Sequence, residues 1–326
     1  MKRIAVLVGG YSSEAEISIK SGTEVASNID STRYEVVIIN ISKEKWEIAN
    51  GTAAGIQINK SDFSYTENSE KKLFYCIVPF IHGTPGENGL LQSYFDLLNI
   101  PYIGSNQLAS SITFNKYYCN KFLQNFGVNI ADSVLVRKNE NYSVSEILQK
   151  ISLPCFVKPN AGGSSFGITK VKHEKDLESA LELAFGESDE VIIETGISGR
   201  EFTCGMIHNT ENTMVLPLVE IVSKNEFFDY QAKYDSAFNK EICPAPISEE
   251  LTKKCGELSV KIRNLLNTNG MMRIDYILHE DEFYFIEINT IPGMTNQSIV
   301  PKMLREMGLS VTQVFTELIE ETIAKI

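Results

Sequence analysis

The apolar segment over residues 284–293 has the sequence Tyr-Phe-Ile-Glu-Ile-Asn-Thr-Ile-Pro-Gly. It predicts a β-strand that carries an acid and an amide near its end. Side chains two residues apart in a strand share a face, so Glu287 and Asn289 should converge. Upstream, Arg273 and Asp275 have the same spacing within another apolar run. Carboxylate and amide oxygens suit Mg²⁺, which proteins usually bind together with phosphate groups. The sequence therefore predicts two neighbouring strands that share a metal and phosphate site.

Length and charge restrict the kinds of protein that could contain such a site. A chain of 326 residues exceeds the size at which a single core keeps growing, so two or three domains are expected. Hydrophobic residues make up 43% and charged residues 22%, which is typical of a packed globular protein. The formal net charge of -12 argues against nucleic-acid binding, which needs clustered Lys and Arg. Phosphate binding should therefore be local.

Cysteine spacing and hydropathy predict a reduced, cytoplasmic protein without a membrane segment. The six cysteines are scattered and indicate neither a zinc site nor a disulfide framework. The basic amino-terminal tip precedes only a five-residue apolar run, whereas a signal peptide needs about 7 to 15 apolar residues. No run approaches the roughly 18 apolar residues of a membrane span.

The first hundred residues alternate strands and helices, as a doubly wound parallel sheet requires. Strands are predicted over 4–8, 35–41 and 73–80, a helix over 13–29, and a glycine-rich loop over 82–89. The stretch over residues 50–72, before the third strand, is polar and irregular. Such units bind ligands at the carboxyl ends of their strands, which is where the glycine-rich loop falls.

The remaining sequence divides into two further units. We expect an N-terminal doubly wound domain over 1–104, a central α+β domain over 105–194 and a C-terminal α+β domain over 195–326. A helix is predicted over 107–126, and an amphipathic closing helix over 310–326.

Lys158 ends a short apolar strand, is followed by Pro159, and precedes a Gly-Gly-Ser-Ser run at 162–165. Glycines let backbone amides close around phosphate oxygens, while the lysine neutralises their charge. The lysine precedes the glycines, so this is not a Walker loop. Alone, a Gly-Gly-Ser-Ser run more often forms a hairpin or a linker. Together with the strand pair, it indicates phosphate binding.

Nine motifs in a shared order give the chain a resemblance to the ATP-grasp superfamily and, within it, to the D-alanine–D-alanine ligases. They are Gly-Gly-Tyr-Ser-Ser-Glu at 9–14, the loop at 82–89, Asn115-Lys116, Val157-Lys158-Pro159, Gly163-Ser164-Ser165, residues 194–201, Asp-Tyr-Gln-Ala-Lys-Tyr at 229–234, Arg273-Ile274-Asp275, and residues 287–298. The resemblance covers nearly the whole chain. It implies the ATP-grasp fold, with α/β and α+β parts arranged in the three domains above.

The resemblance also implies which residues bind ATP and metal. The ATP-binding set is Lys116, Lys158 and Lys233 at the phosphates, Glu194 and Ile197 at the adenine, and Glu201 at the ribose. Two Mg²⁺ or Mn²⁺ ions would be held by Asp275, Glu287 and Asn289, the same trio that the strand pattern indicates.

On the amino-acid side, the resemblance implies that Glu14 holds the ammonium of the first D-alanine, with His82 close by. Ser164 and Tyr234 would join Glu14 in a hydrogen-bonded set. Arg273 and the Gly293 amide would form an oxyanion hole for the tetrahedral intermediate, and Ser298 would hold the carboxylate of the second D-alanine.

The implied reaction is ATP-dependent ligation of two D-alanine molecules through a D-alanyl phosphate, for peptidoglycan precursors in the cytoplasm. The stretch 223–246 would form a lid that keeps water from the acyl phosphate. A homodimer is what the resemblance suggests. What removes the proton from the attacking amine stays open between the transferred phosphate and the Ser164/Tyr234 pair.

Two alternatives remain. The nearer one is a D-alanine–D-lactate or D-alanine–D-serine ligase, against which Tyr234 at the lid position argues by resemblance. The more distant one is a nucleotide-binding regulator or oxidoreductase, supported only by Gly9-Gly10 without a full dinucleotide fingerprint. The chain departs from the family pattern at Gln231 and at Met271-Met272, which should affect lid packing rather than reaction type.

Overall fold

The computed structural model describes residues 1–164, 166–210, 212–223 and 239–324. Lys233, Tyr234 and Gln231, and with them most of the expected lid, lie outside the described residues. The description below is confined to these ranges.

The amino-terminal part forms a four-stranded sheet with two helices. Its elements are β1 (Lys2–Gly9), α1 (Ala15–Asn28), β2 (Tyr34–Ile41), β3 (Trp46–Ile48), β4 (Tyr65–Glu67), β5 (Glu70–Lys72), β6 (Cys76–Pro79) and α2 (Leu90–Leu98). The sheet order is β3-β2-β1-β6, and β1 pairs with both β2 and β6 in parallel. The central strand β1 is buried from Ile4 onward because it is covered on both faces, which explains its continuous apolar run.

Two local expectations for this part are corrected. The third strand begins at Cys76 rather than at residue 73, because pairing with β1 starts at Ile4 opposite Cys76 and leaves Leu73 about half exposed. The stretch expected to be irregular, residues 50–72, contains the antiparallel hairpin β4–β5, and a short strand that was not predicted, β3, precedes it. All three strands are short and have no sustained apolar alternation, so they give a weak sequence signal.

The middle part is a four-stranded antiparallel sheet flanked by helices. Its elements are α3 (Gln107–Phe114), α4 (Lys116–Gln124), β7 (Asn129–Ile130), β8 (Ser133–Arg137), α5 (Val144–Leu148), β9 (Cys155–Pro159), β10 (Thr169–Val171), a 3₁₀ turn (Glu174–Asp176), α6 (Leu177–Phe185) and β11 (Glu190–Thr195). The order is β10-β9-β11-β8. Val157 and Ile193 pack in a core with α6, so the alternation of β-strand side chains turns Lys158 and Glu194 to the other face.

The helix expected over 107–126 is two helices that break at Asn115. The backbone of Asn115 is extended there, with φ -90° and ψ 100°, and its side chain accepts a hydrogen bond from the Tyr118 amide at 3.0 Å. Asparagine is a favoured N-cap residue for this reason. The break makes Lys116 the first residue of a new helix.

The carboxyl-terminal part contains a seven-stranded sheet and three described helices. Its elements are β12 (Arg200–His208), β13 (Thr213–Val215), β14 (Val219–Ser223), β15 (Asn239–Ile242), α7 (Glu249–Leu266), β16 (Gly270–His279), β17 (Glu282–Asn289), α8 (Ile299–Glu306) and α9 (Val311–Ala324). The order is β15-β14-β12-β16-β17-β7, with β13 pairing to β12. The predicted metal strands, β16 and β17, are antiparallel neighbours.

The closing helix α9 packs against the amino-terminal sheet. Phe315 is fully buried, and its ring centroid lies 5.7 Å from that of Phe80, just beyond β6. Val6, Val78 and Leu318 belong to the same core. The first and last segments of the chain therefore share one hydrophobic core, which brings β17 and its following loop beside the carboxyl ends of β1 and β6. No helix in the described ranges is both long and apolar enough to cross a membrane.

Candidate active site

Glu14 and Ser164 join the amino-terminal part to the glycine loop of the middle part. Glu14 precedes α1, is 5% exposed, and accepts a hydrogen bond from Ser164 Oγ to Oε1 at 2.5 Å. Gly163 lies so close that a Cβ there would be 2.8 Å from the same oxygen. A side chain at 163 would therefore displace the Glu14 carboxylate from this position, which gives this glycine a steric role.

His82 is buried beside this contact and is held by α1. Its amide donates to Ser18 Oγ at 2.9 Å, and its ring Nε2 lies 3.4 Å from Ser21 Oγ. Burial and the positive charge of Arg273 lower the pKa of His82 to about 4. The imidazole is therefore neutral near pH 7.

Glu87 belongs to the same loop, and no role was predicted for it from sequence. It is 8% exposed, and its Oε2 accepts a hydrogen bond from the Gly83 amide at 2.7 Å. Burial, with a further contribution from the negative charge of Glu14, raises the pKa of Glu87 to about 8. The sequence signal for Glu87 was weak, because an acidic residue in a glycine-rich loop is usually solvated rather than buried.

A cleft opens between these loops and the end of β17. Its lining includes Glu87, Lys116, Gly162, Glu287 and Asn289. Groups from all three parts of the chain thus face one space, with two acids and a lysine among them. Such convergence of charged groups in a concave site is typical of an active site.

Two lysines stand at the cleft with acidic partners. Lys116 Nζ donates to the Gly162 carbonyl at 2.6 Å and lies 3.5 Å from Glu287 Oε2. Lys158 Nζ donates to Glu194 Oε2 at 2.6 Å. Burial alone would lower the pKa of Lys158. The negative charges of Glu194 and Glu287 outweigh this effect, so the pKa of this lysine is raised. Lys158 is therefore held in its charged form.

Asp275 receives hydrogen bonds from three neighbouring side chains. Arg273 forms a bidentate pair with it, Nε to Oδ1 at 2.9 Å and Nη2 to Oδ2 at 2.8 Å. Thr203 Oγ1 on β12 donates to Oδ1 at 2.6 Å, and Asn289 Nδ2 lies 3.4 Å from Oδ2. Burial alone would lower the pKa of Arg273. The negative charge of Asp275, with a smaller effect from Glu287, raises it above its usual value. The Arg273 guanidinium therefore stays charged at neutral pH.

The donor set at the strand pair fits a hard divalent cation. Asp275 lies directly opposite Glu287 in the β16–β17 register, and Arg273 lies opposite Asn289. Within the described ranges, no three His, Cys, Asp or Glu side chains form a metal-binding group. A cation here would therefore use the amide oxygen of Asn289 with the two carboxylates, and phosphate oxygens and water would complete its coordination, as is usual for Mg²⁺.

Glu194 lies at the end of β11, 6% exposed, and both of its oxygens are hydrogen-bonded. Lys158 binds Oε2, and Asn120 Nδ2 on α4 donates to Oε1 at 2.7 Å. Ile197 follows β11 and is half-buried, while Glu201 lies in β12 opposite Ile277. Asn120 was not predicted from the sequence.

Gly293 and Ser298 are neighbours in the loop after β17. Ser298 precedes α8, and its Oγ accepts a hydrogen bond from the Thr295 amide at 3.1 Å. A Cβ at Gly293 would lie 3.1 Å from the same oxygen. Asn296, between them, donates to Glu24 of α1 at 2.6 Å. The loop is thus tied to the helix that follows Glu14.

Most of the predicted site residues fall into five contacting groups. These are Glu14 with Ser164, Lys158 with Glu194, Lys116 with Glu287, Arg273 with Asp275 and Asn289, and Gly293 with Ser298. Lys233 and Tyr234 lie outside the described residues.

Two family models match the chain and together span most of it. The D-ala D-ala ligase N-terminus model matches residues 3–105, and the D-ala D-ala ligase C-terminus model matches residues 122–320.

Curated relatives and solved structures agree with these matches. The chain is 47% identical over 322 residues to the D-alanine–D-alanine ligase of Phocaeicola vulgatus, covering 98% of this chain and 99% of that protein. It is 44% identical over 324 residues to that of Flavobacterium johnsoniae, covering 99% and 100%. A D-Ala:D-Ser ligase structure from Enterococcus faecalis matches with a TM-score of 0.86 at 32% identity, covering 98% and 99%. A D-alanine–D-alanine ligase from Bacillus anthracis complexed with ATP matches with a TM-score of 0.79 at 30% identity, covering 100% and 98%.

Proposed function

Because the chain belongs to the D-ala D-ala ligase family, we propose that it joins two D-alanine molecules to D-alanyl-D-alanine at the expense of ATP, for peptidoglycan precursor synthesis. The observation that supports this most directly is the contact between Glu14 and Ser164 beside a cleft lined by Lys116, Glu287 and Asn289. An acidic side chain that can bind an amino group thus lies beside residues that can bind phosphate and metal.

The first half-reaction activates a carboxyl group. The carboxylate of the first D-alanine attacks the γ-phosphorus of ATP, an O–P bond forms, and ADP leaves. Lys116 and Lys158 offset the charge on the transferred group, since catalysis of phosphoryl transfer is mainly positioning and electrostatic stabilisation. Glu14 binds the ammonium of this D-alanine, and Ser164 holds the Glu14 carboxylate in place. Neutral His82 adds no competing positive charge beside that ammonium.

The second half-reaction forms the peptide bond. The amine of the second D-alanine attacks the acyl carbonyl, and a tetrahedral oxyanion forms. Arg273 and the Gly293 amide stabilise this oxyanion, and inorganic phosphate then leaves. Ser298, adjacent to Gly293, binds the carboxylate of the incoming D-alanine. The amine loses a proton in this step, and the departing phosphate is a suitable acceptor.

Asp275, Glu287 and Asn289 are proposed to hold two Mg²⁺ ions, which Mn²⁺ could replace. When bound, these ions add positive charge at the phosphate oxygens during transfer. In the structure, Arg273 and Lys116 neutralise the two carboxylates. The all-oxygen donor set is what makes Mg²⁺ the fitting cation. Lys233 and Tyr234, on the expected lid, complete the proposed site, and a cytoplasmic homodimer is the proposed assembly.

Phosphate release tests the proposal directly. Purified protein with ATP and Mg²⁺ should release inorganic phosphate only when D-alanine is added, and the dipeptide should form in equal amount. D-Serine and D-lactate, each supplied with D-alanine across pH 6 to 9, distinguish the related ligases. Release that does not depend on D-alanine, or a dominant depsipeptide product near neutral pH, would contradict the assignment.

A further inference from the structure

Asn120 lies on the face of α4 that is turned towards the nucleotide cleft. Helix residues four apart share a face, so Asn120 stands one turn beyond Lys116, whose Nζ reaches Gly162 and Glu287. Asn120 is only 1% exposed. One helix thus places a cation near the proposed phosphate end of the site and a neutral amide near the proposed adenine end.

The buried amide of Asn120 makes one strong contact and leaves one atom without a partner. Its Nδ2 donates to Glu194 Oε1 at 2.7 Å, whereas its Oδ1 has no hydrogen-bond partner among the described residues. An unpartnered buried carbonyl is unfavourable, and an apolar side chain in this position would avoid it. Packing therefore does not explain an asparagine here, whereas its contact with Glu194 does. The amide orientation is also settled, because the reverse would point Oδ1 at a carboxylate.

Glu194 depends on Asn120 most when phosphate is present. Its other oxygen is bound by Lys158, which is also the cation proposed to bind phosphate. When Lys158 also binds phosphate, it restrains the Glu194 carboxylate less. The neutral amide of Asn120 does not bind phosphate, so its hydrogen bond to Glu194 is kept. Asn120 and Lys158 use two of about four acceptor sites on the carboxylate, so sites remain for an amino group of a base.

We infer that Asn120 is a positioning residue that orients Glu194 as a hydrogen-bond acceptor for the exocyclic amine of adenine, and so contributes to selection of ATP over GTP. This inference rests on the proposed function, in which Glu194 contacts the base. Guanine carries a carbonyl oxygen where adenine carries that amine. A carboxylate fixed in this position accepts a hydrogen bond from the amine of adenine and repels the carbonyl oxygen of guanine. Selection would therefore use an unfavourable contact with guanine as well as a favourable contact with adenine.

The test compares Asn120→Leu with Cys119→Ala and Glu194→Gln. Leucine branches at Cγ as asparagine does, but it is bulkier and donates no hydrogen bond. Cys119 is 1% exposed on the same helix, so its variant reports packing loss alone. The measurements are ADP and GDP dissociation constants by calorimetry with Mg²⁺, and KM and kcat for ATP and D-alanine.

Asn120→Leu should weaken ADP binding and raise KM for ATP by about tenfold, the usual effect of losing a hydrogen bond to a charged group. The preference for ADP over GDP should fall by a similar factor, while kcat and KM for D-alanine stay within about twofold. Cys119→Ala should leave all of these near wild type.

Three results would overturn the inference, and they are distinguishable. If Glu194→Gln loses base preference but Asn120→Leu keeps it, Asn120 does not position Glu194 and the proposed function stands. If Glu194→Gln also keeps base preference, the adenine contact itself is wrong. If Asn120→Leu lowers kcat and raises both KM values together with a loss of thermal stability, its role is structural.

Discussion

Ser164 Oγ donates a hydrogen bond to Glu14 Oε1 across 150 residues of sequence, and thereby links the glycine loop after β9 to the start of α1. The link closes one side of the cleft, and Gly163 allows the close approach. In the proposed reaction, this pair fixes the acid that receives the first D-alanine.

Ser164→Ala should raise KM for the first D-alanine by about tenfold, because a hydrogen bond to a charged group is lost. The affinity for ADP should change less than twofold, since Lys116 and Lys158 keep their own contacts. Steady-state kinetics and ADP calorimetry measure both. Ser179→Ala, an exposed serine of α6, is the matched control. A variant with unchanged KM would show that Ser164 does not hold Glu14 for substrate.

Glu287→Gln should lower kcat by at least ~10²-fold, because it removes a carboxylate charge from the proposed metal site. Its melting temperature should stay close to wild type, since Glu287 is partly exposed and borders the cleft rather than a hydrophobic core. Glu282→Gln, exposed on the same strand, is the control. Near-normal turnover would contradict the metal role. Mn²⁺ binding followed by electron paramagnetic resonance provides a readout independent of activity.

Acid should remove a contribution of His82 to stability, because its ring is buried in the neutral form. Its pKa is about 4 in the folded protein and 6.5 when unfolded, so between these values the unfolded chain binds the extra proton. The contribution of His82 to the free energy of unfolding should therefore decrease by roughly 1.4 kcal/mol per pH unit as pH falls from 6.5 to 4. Glu87, whose pKa is raised to about 8, contributes a slope of the opposite sign, so the effect of His82 is measured as a difference in slope between variants. His82→Gln should lose this slope, and exposed His173→Gln should retain it. Urea titrations at several pH values measure the difference, and equal slopes in all three proteins would be inconsistent with a buried neutral His82.

Phe315→Ala should destabilise the protein by about 3–5 kcal/mol, because it removes a fully buried ring from the core shared by α9 and the amino-terminal sheet. Phe126→Ala, at a position 47% exposed, should cost much less. Chemical denaturation followed by circular dichroism provides the comparison. The single tryptophan, Trp46, lies in the amino-terminal sheet and reports whether that sheet unfolds in the same transition. Separate transitions in wild type would show that the shared core does not couple the two parts.

Much of the fold and part of the site could be predicted from the sequence. The family and the fold class are confirmed. The domain boundaries and the individual residue roles stay predictions. The break at Asn115 was missed because both sides of it have helical character, and only the extended backbone of that residue reveals it.

The sequence by itself determined the chemistry of the strand pair and of the lysine-glycine loop. A period of two places Glu287 and Asn289 on one face of a strand, whatever surrounds it. Only the tertiary structure decided that Glu194 is bound by Asn120, 74 residues away, and that Asp275 is bound by Thr203, 72 residues away. The physical reason is that periodicity orders side chains along a single element, whereas the partner of a buried polar group depends on which elements pack together.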